Sequence, residues 1–228
     1  DGSIRALYRR FVELGGRVFT NLRVEDIEIE GDIATVATAE GTFRTESVIV
    51  CAGAWVEKLV GGKVALPRLE IEIGQPTHFT PLPGYEDPNL WPAFIHHANA
   101  DDVSSSVSGG AYGMYTPGVG VKVGFEETGH FTDPDNRDFS IDQRWNENTK
   151  NYVREWFPGV DPESADAVTC LFTNTPNADF IIDREGPLTV VSACTGHGFK
   201  FTPRIGQIAA DLACGSTQQV REWRFRTA

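Results

Sequence analysis

A histidine set between two glycines and followed by a lysine, Thr195-Gly196-His197-Gly198-Phe199-Lys200-Phe201, is the stretch of this chain best equipped for chemistry. It joins a β-branched run, Thr189-Val190-Val191-Ser192-Ala193, to Ile205, Ile208, Ala209 and Leu212, which recur at helical spacing before Gly215. A strand, a tight turn and a helix in that order let backbone approach a ligand closely. They also aim free N–H groups and the positive end of a helix dipole at it. The guest this predicts is electron-rich or anionic, although glycine in such a turn also arises for backbone reasons alone. Lys122 stands out in Gly118-Val119-Gly120-Val121-Lys122-Val123-Gly124, because an ammonium among apolar neighbours is costly to bury unless its charge is used. Alternation that leaves Lys122 in solvent is the other reading. Cys170, a thiol in an apolar strand, reads by itself as a packed core cysteine.

Thr169-Cys170-Leu171-Phe172-Thr173-Asn174-Thr175-Pro176, followed by Asp179-Phe180-Ile181-Ile182-Asp183, sharpens the picture. Together with the glycine-histidine turn, these segments resemble the monomeric sarcosine oxidase family of flavin-dependent amine oxidases, which includes N-methyltryptophan oxidases. The resemblance runs over nearly the whole chain and is densest from Gly118 to Gly215. It implies an FAD-dependent oxidase of secondary or N-methyl amino acids that uses oxygen and yields an imine and hydrogen peroxide. By the same resemblance, Cys170 attaches the flavin covalently through a thioether, and Lys122 promotes reaction with oxygen by stabilising the anion formed. Lys200 holds the substrate carboxylate, with an arginine partner that is not found here. His197 contacts the flavin ring or the substrate, and Tyr112 and Phe172 line the substrate pocket. Gly196, Gly198 and Phe199 lie with Lys200 beside the cofactor, as does the backbone of Ala52, Gly53 and Ala54. Two departures bear on the substrate: Phe172 stands where sarcosine oxidases typically carry tyrosine, and Glu126 where some relatives carry histidine. A bulkier or differently charged secondary amine than sarcosine is therefore open.

Other chemistries find less support. His96 and His97, with Asp101 and Asp102, suggest metal ligands, but adjacent strand residues point to opposite faces. The glycines around Lys122 do not make a G-x-G-x-x-G pattern, and no G-x-S-x-G nucleophile turn is present. The formal net charge of −12 and the lack of a basic stripe argue against nucleic acid. No run approaches the ~20 apolar residues of a membrane span. Cys51, Cys170, Cys194 and Cys214 form no CxxC pair and read as reduced, largely buried thiols in a reducing, cytoplasmic compartment.

The elements that must position these residues follow from periodicity. Ile4, Leu7, Tyr8, Phe11 and Leu14 share one helix face, ended by Gly15-Gly16. Short strands are predicted over 17–20, 22–30 and 32–38, with turns at Gly31-Asp32 and Glu40-Gly41. Ser47-Val48-Ile49-Val50-Cys51 reads as a strand covered on both faces. A single alternating strand is predicted over 68–80, a proline-rich loop over 81–92, and a helix over 142–157 whose aromatics belong to a core. The fold class is mixed α/β and α+β. Residues 1–66 form part of an FAD-binding domain with a β-meander, 67–173 a mainly antiparallel substrate domain, and 174–228 the return to the first. The resembling family carries a G-x-G-x-x-G unit for the ADP part of FAD near its N-terminus, and this chain has none. The chain thus reads as a C-terminal portion, inactive by itself and partnered by the missing segment. Its only methionine is Met114. A flavin amine dehydrogenase using another acceptor, and a non-catalytic ligand-binding remnant of the fold, are the rival readings.

Overall fold

The computed structural model describes residues 2–97, 110–126 and 128–215. Helix α1 (Gly2–Glu13) forms as predicted and stops at Gly15, whose φ of +88° suits glycine. Its apolar face is uncovered among the described residues: Ile4, Leu7, Tyr8, Phe11 and Leu14 are each between 50 % and 69 % exposed. An antiparallel meander follows, β1 (Val24–Glu30), β2 (Ile33–Thr38) and β3 (Gly41–Thr45). Residues 17–20 pair with no strand among the described residues; Phe19 instead rests on Phe43 at 5.6 Å between ring centroids.

Strand β4 (Val48–Val50) leads through a 3-10 turn at Gly53–Trp55 into α2 (Val56–Val60). Ile49 is 41 % exposed, so among the described residues β4 is not covered on both faces. The reason is its place at a sheet edge, next to β13 (Leu188–Ser192), which in turn pairs with β12 (Ile181–Glu185). β4 and β13 run parallel, with Val48 opposite Leu188 and Val50 opposite Val190. Helix α4 (Thr202–Ala213) covers β12 and β13 through Ile205, Ile208 and Ala209 against Ile182 and Val191, and leaves Ile49 bare. On the sheet's other face, Val50, Ile181, Leu188 and Val190 meet Ile27 and Ala34 of the meander and Val56 and Val60 of α2 in one core.

A second core belongs to a five-stranded antiparallel sheet. The segment 68–80 forms two strands rather than one: β5 (Glu70–Gly74) and β6 (Thr77–Pro81) lie in different sheets. Pro76 has no N–H to continue a ladder. At the break, the buried Gln75 side-chain amide accepts from the Asp142 backbone N–H at 2.9 Å and donates to its carbonyl at 3.1 Å, as a strand neighbour would. β6 joins β7 (Phe94–His97), β8 (Gly110–Thr116), β9 (Gly120–Phe125) and β10 (Val160–Ala167) in the order β10-β6-β9-β8-β7. Helix α3 (Gln143–Trp156) packs on this sheet, setting Tyr152 and Val153 against Phe79, Val121, Val123 and Phe125. Trp156 remains 44 % exposed. Finally β11 (Cys170–Asn174) pairs with β5 as a separate two-stranded ribbon.

Helix α3 starts where the Asp142 carboxylate accepts from the N–H groups of Arg144 at 2.7 Å and Trp145 at 3.3 Å. Asp142→Ala should therefore lower unfolding stability by about 1 kcal/mol, read as the shift of a urea transition, with Asp142→Asn costing clearly less.

Candidate active site

The alternation of β9 divides its side chains between two environments. Val121, Val123 and Phe125 enter the core, and Lys122, Gly124 and Glu126 emerge on the opposite face. On that face Met114 of β8 stands opposite Lys122, and Tyr112 opposite Gly124. A second wall comes from β5 and β11, where Glu70 faces Asn174, Glu72 faces Phe172, and Gly74 faces Cys170. The turns at Thr175–Ala178 and Thr195–Gly196–His197, with Lys200, close a third side. Between them lies a cavity of about 890 Å³ that Tyr112, Lys122, Phe172, Gly196, His197 and Lys200 all line.

Two glycines make the walls smooth. A Cβ on Gly124 would sit 2.7 Å from Cζ of Tyr112, and one on Gly74 would sit 2.6 Å from the Phe172 ring and 2.9 Å from Cys170 Sγ. With no side chain there, each ring lies against the neighbouring strand. Burial pushes the Tyr112 phenol up to about 12, with the negative charges of Cys170 and Glu126 adding to it. At neutral pH Tyr112 is therefore a neutral O–H donor. Lys122 holds its ammonium 5.8 Å from the centre of that ring, and no carboxylate lies within ion-pair distance of it among the described residues. Its cross-strand neighbour His78 is held below the ordinary histidine range by burial and by the Lys122 charge.

Cys170 is half-buried beside the cavity rather than on its lining. Burial pushes its thiol up, against the opposing pull of the Arg137 and Lys122 cations. The Arg137 guanidinium donates to the carbonyl oxygen and, at 2.6 Å, to the hydroxyl of Thr169, which fixes a cation next to the thiol. Neither Cys51 nor Cys214 is buried as predicted; both are exposed, because Cys51 follows the edge strand and Cys214 ends α4.

His197 is oriented from both sides. Its ring stacks on Phe180, 4.9 Å between centroids, and Nδ1 lies 2.7 Å from the Thr195 carbonyl oxygen. A carbonyl only accepts, so Nδ1 carries the proton and a neutral ring keeps a lone pair on Nε2. Lys200 Nζ donates to the His197 carbonyl at 3.0 Å. The turn is strained: Thr195 has φ +38° and Ala178, which accepts from the Thr195 hydroxyl at 3.2 Å, has φ +58°. The N–H groups of His197 and Gly198 both donate to the Cys194 carbonyl, so these two are spent within the turn instead of being free for a ligand.

Five other predicted residues lie outside this cavity. Gly198 is buried where a Cβ would meet the Ala193 carbonyl oxygen at 1.6 Å, and Phe199 is 64 % exposed. Ala52, Gly53 and Ala54 form the turn after β4, and Ala52 lines a separate cavity of about 470 Å³ with Trp55, Lys58 and Asp135. His96 and His97 do point apart: His96 Nδ1 lies 2.9 Å from the Tyr152 hydroxyl on the α3 side. Asp101 and Asp102 lie outside the described residues, among which no three side chains form a metal-ligating group.

The residue that periodicity misses is Glu72. In Glu70-Ile71-Glu72-Ile73 it reads as a solvent-facing carboxylate, yet it is only 5 % exposed. One oxygen accepts from the Thr128 N–H at 2.7 Å, the Thr128 hydroxyl at 3.1 Å and the Gly129 N–H at 2.8 Å. The other accepts from Asn174 Nδ2 at 2.9 Å. No local signal reveals these partners, which come from distant segments. Glu72→Ala leaves those donors without an acceptor and should cost about 3 kcal/mol in chemical unfolding. Glu70→Ala, at an exposed ion pair with Arg68, should cost under about 1 kcal/mol.

The chain is 32 % identical over 229 residues to a monomeric sarcosine oxidase of Arthrobacter sp., covering 93 % of this chain and 54 % of that protein. It is 29 % identical over 223 residues to an N-methyl-L-tryptophan oxidase of Salmonella agona, covering 94 % of this chain and 56 % of the relative. The chain thus spans about half the length of the curated relatives it matches. Its fold resembles a Tyr258Phe mutant of NikD, an unusual amino acid oxidase essential for nikkomycin biosynthesis, with a TM-score of 0.81 at 22 % identity, over 98 % of this chain and 59 % of that one. Residues 3–212 match the family of FAD dependent oxidoreductases, and the chain belongs to that family.

Proposed function

We propose that the protein containing this chain oxidises secondary or N-methylated amino acids with FAD, passing the electrons to oxygen. The observation that carries the reading is the convergence of Tyr112, Lys122, Phe172, Gly196, His197 and Lys200 on one cavity, with Cys170 at its side. The residues present suit the flavin end of the cofactor. The cavity falls within the roughly 300–1,000 Å³ of small-molecule and cofactor sites, and the aromatic side chains of Phe94, Tyr112, Phe131 and Phe172 line it. At Gly196 a Cβ would meet nothing within 4 Å, so backbone is open to a flat group there. When bound, the flavin supplies the hydride-accepting and oxygen-reducing chemistry.

The chain's own residues orient and charge the site. Lys122 contributes an ammonium with no carboxylate partner among the described residues, suited to stabilising negative charge as it develops on oxygen. Lys200 is placed to attract a substrate carboxylate, and its bond to the His197 carbonyl keeps both side chains at the same rim. His197 offers an acceptor nitrogen, and Tyr112 and Phe172 exclude water over the apolar part of a substrate. Cys170 stands on β11 as the thioether attachment point; burial holds its thiol protonated, and Arg137 beside it offsets part of that effect. The compartment we propose is reducing and cytoplasmic, supported by four unpaired cysteines. No helix among the described residues is long and apolar enough to cross a membrane.

Lys122→Met should slow flavin reoxidation by oxygen about 100-fold while changing anaerobic reduction by an N-methyl amino acid far less, in stopped-flow absorbance. Equal slowing of both would remove the role. Acid-precipitated protein should retain its flavin, seen as a covalent mass increment. Cys170→Ala should release all of it to the supernatant.

A further inference from the structure

Among the described residues three carboxylates line the cavity, and they are not equivalent. Glu72 is saturated by its four donors, and Glu70 is tied to Arg68 at 3.2 Å. Glu126 has neither an ion pair nor a hydrogen bond to its carboxylate among the described residues. Glu126 is exposed, and its backbone is held in register. The Glu126 N–H donates to the Gly110 carbonyl at 2.9 Å, extending the β8–β9 ladder by one residue. The carboxylate fills the space above Gly110, where a Cβ would come within 2.6 Å of Oε2 and within 3.3 Å of His97 Nδ1. Any side chain at Gly110 would displace it.

Lys122 and Glu126 stand on the same face of one strand, about 13 Å apart along the backbone at ~3.3 Å per residue, with the Tyr112 ring between them. The wall is therefore polar at both ends, positive at Lys122 and negative at Glu126, and aromatic in the middle. A substrate whose side chain carries no charge, such as an N-methyl amino acid with a short alkyl side chain, brings no distal charge to Glu126 and strips it of water for no return. A substrate with a second cationic group at the far end of an aliphatic stem satisfies it and lays the stem over the ring.

We propose that Glu126 sets the substrate class as a secondary amino acid with a distal ammonium or guanidinium, an N-alkylated basic amino acid. The substrate class rests on the amine-oxidation reading above; the cation preference of the cavity does not. Two matched pairs test them separately on the flavin-loaded protein. Nα-methyl-lysine and 2-(methylamino)heptanoate differ only in an ammonium for a methyl and report turnover. Likewise 6-aminohexanoate and heptanoate, which have no amine beside the carboxylate, report binding through the flavin absorbance. The cationic member of each pair should be favoured about fivefold or more, as kcat/KM and as Kd. In Glu126→Gln both ratios should fall towards one, and in Glu126→Lys they should invert. Equal treatment of each pair by the unmodified protein, or a preference that survives Glu126→Gln, would overturn the proposal. If neither methylated amino acid is oxidised while the carboxylate pair still shows the preference, amine oxidation is wrong and the cation site stands. If both are oxidised with equal efficiency, the cation site is wrong and amine oxidation stands.

Discussion

The cavity depends on one buried carboxylate. Glu72 belongs to β5, its donors Thr128 and Gly129 to the loop after β9, and Asn174 to the end of β11, so three segments from distant parts of the chain meet at one side chain. Burying a carboxylate is costly, and only a full set of donors offsets the loss of water. Here backbone N–H groups supply two of the four bonds, and a backbone donor cannot be re-aimed without moving its loop. The wall that carries Cys170 and Phe172 is thereby held at a defined distance from the wall that carries Tyr112 and Lys122. The loop bends back over the ribbon as well, since Phe131 bridges to Glu72 and His130 accepts from the Ile73 N–H.

With the frame fixed, the electrostatics follow from which charges are already answered. Glu72 is neutralised by dipoles, the Tyr112 phenol stays protonated, and His78 is held low by burial and by Lys122. Lys122 is left as a cation answered by none of these groups, on a face it shares with Met114, Tyr112, Gly124 and, four residues along, Glu126. A fixed charge in such surroundings acts at far greater strength than the same charge in water. The chemistry assigned to it needs no movement of the protein, only that the charge be in place beforehand.

Much of this was legible in the residues. Helical periodicity located α3 and α4, because each presents an apolar stripe to a sheet that covers it, and the glycine turns of the meander marked its hairpins. The same rule placed α1 correctly but says nothing about what lies against it. Where reading failed, tertiary partners decided. Ile49 looked doubly buried because an apolar run cannot report that its strand lies at an edge. The segment 68–80 looked continuous because its alternation runs on through Gln75 and Pro76, and nothing local shows that the Gln75 amide pairs with the Asp142 backbone at a break. Tyr112, Lys122, Phe172, His197 and Lys200 were singled out by the family resemblance and line one cavity, whereas Glu72 was hidden by its own alternation. Its function comes from Thr128, Gly129 and Asn174, and nothing local announces that these converge.

The face that carries Lys122 is specified from behind. Val121, Val123 and Phe125 are gripped by the aromatic core under α3, and side chains on a strand repeat every second residue. Sliding β9 by a single position would drive the ammonium into hydrocarbon and turn valine out towards the hollow. The oily side of the sheet thus acts as the ratchet that sets the chemistry of the wet side, and errors of strand pairing are rejected before any ligand arrives.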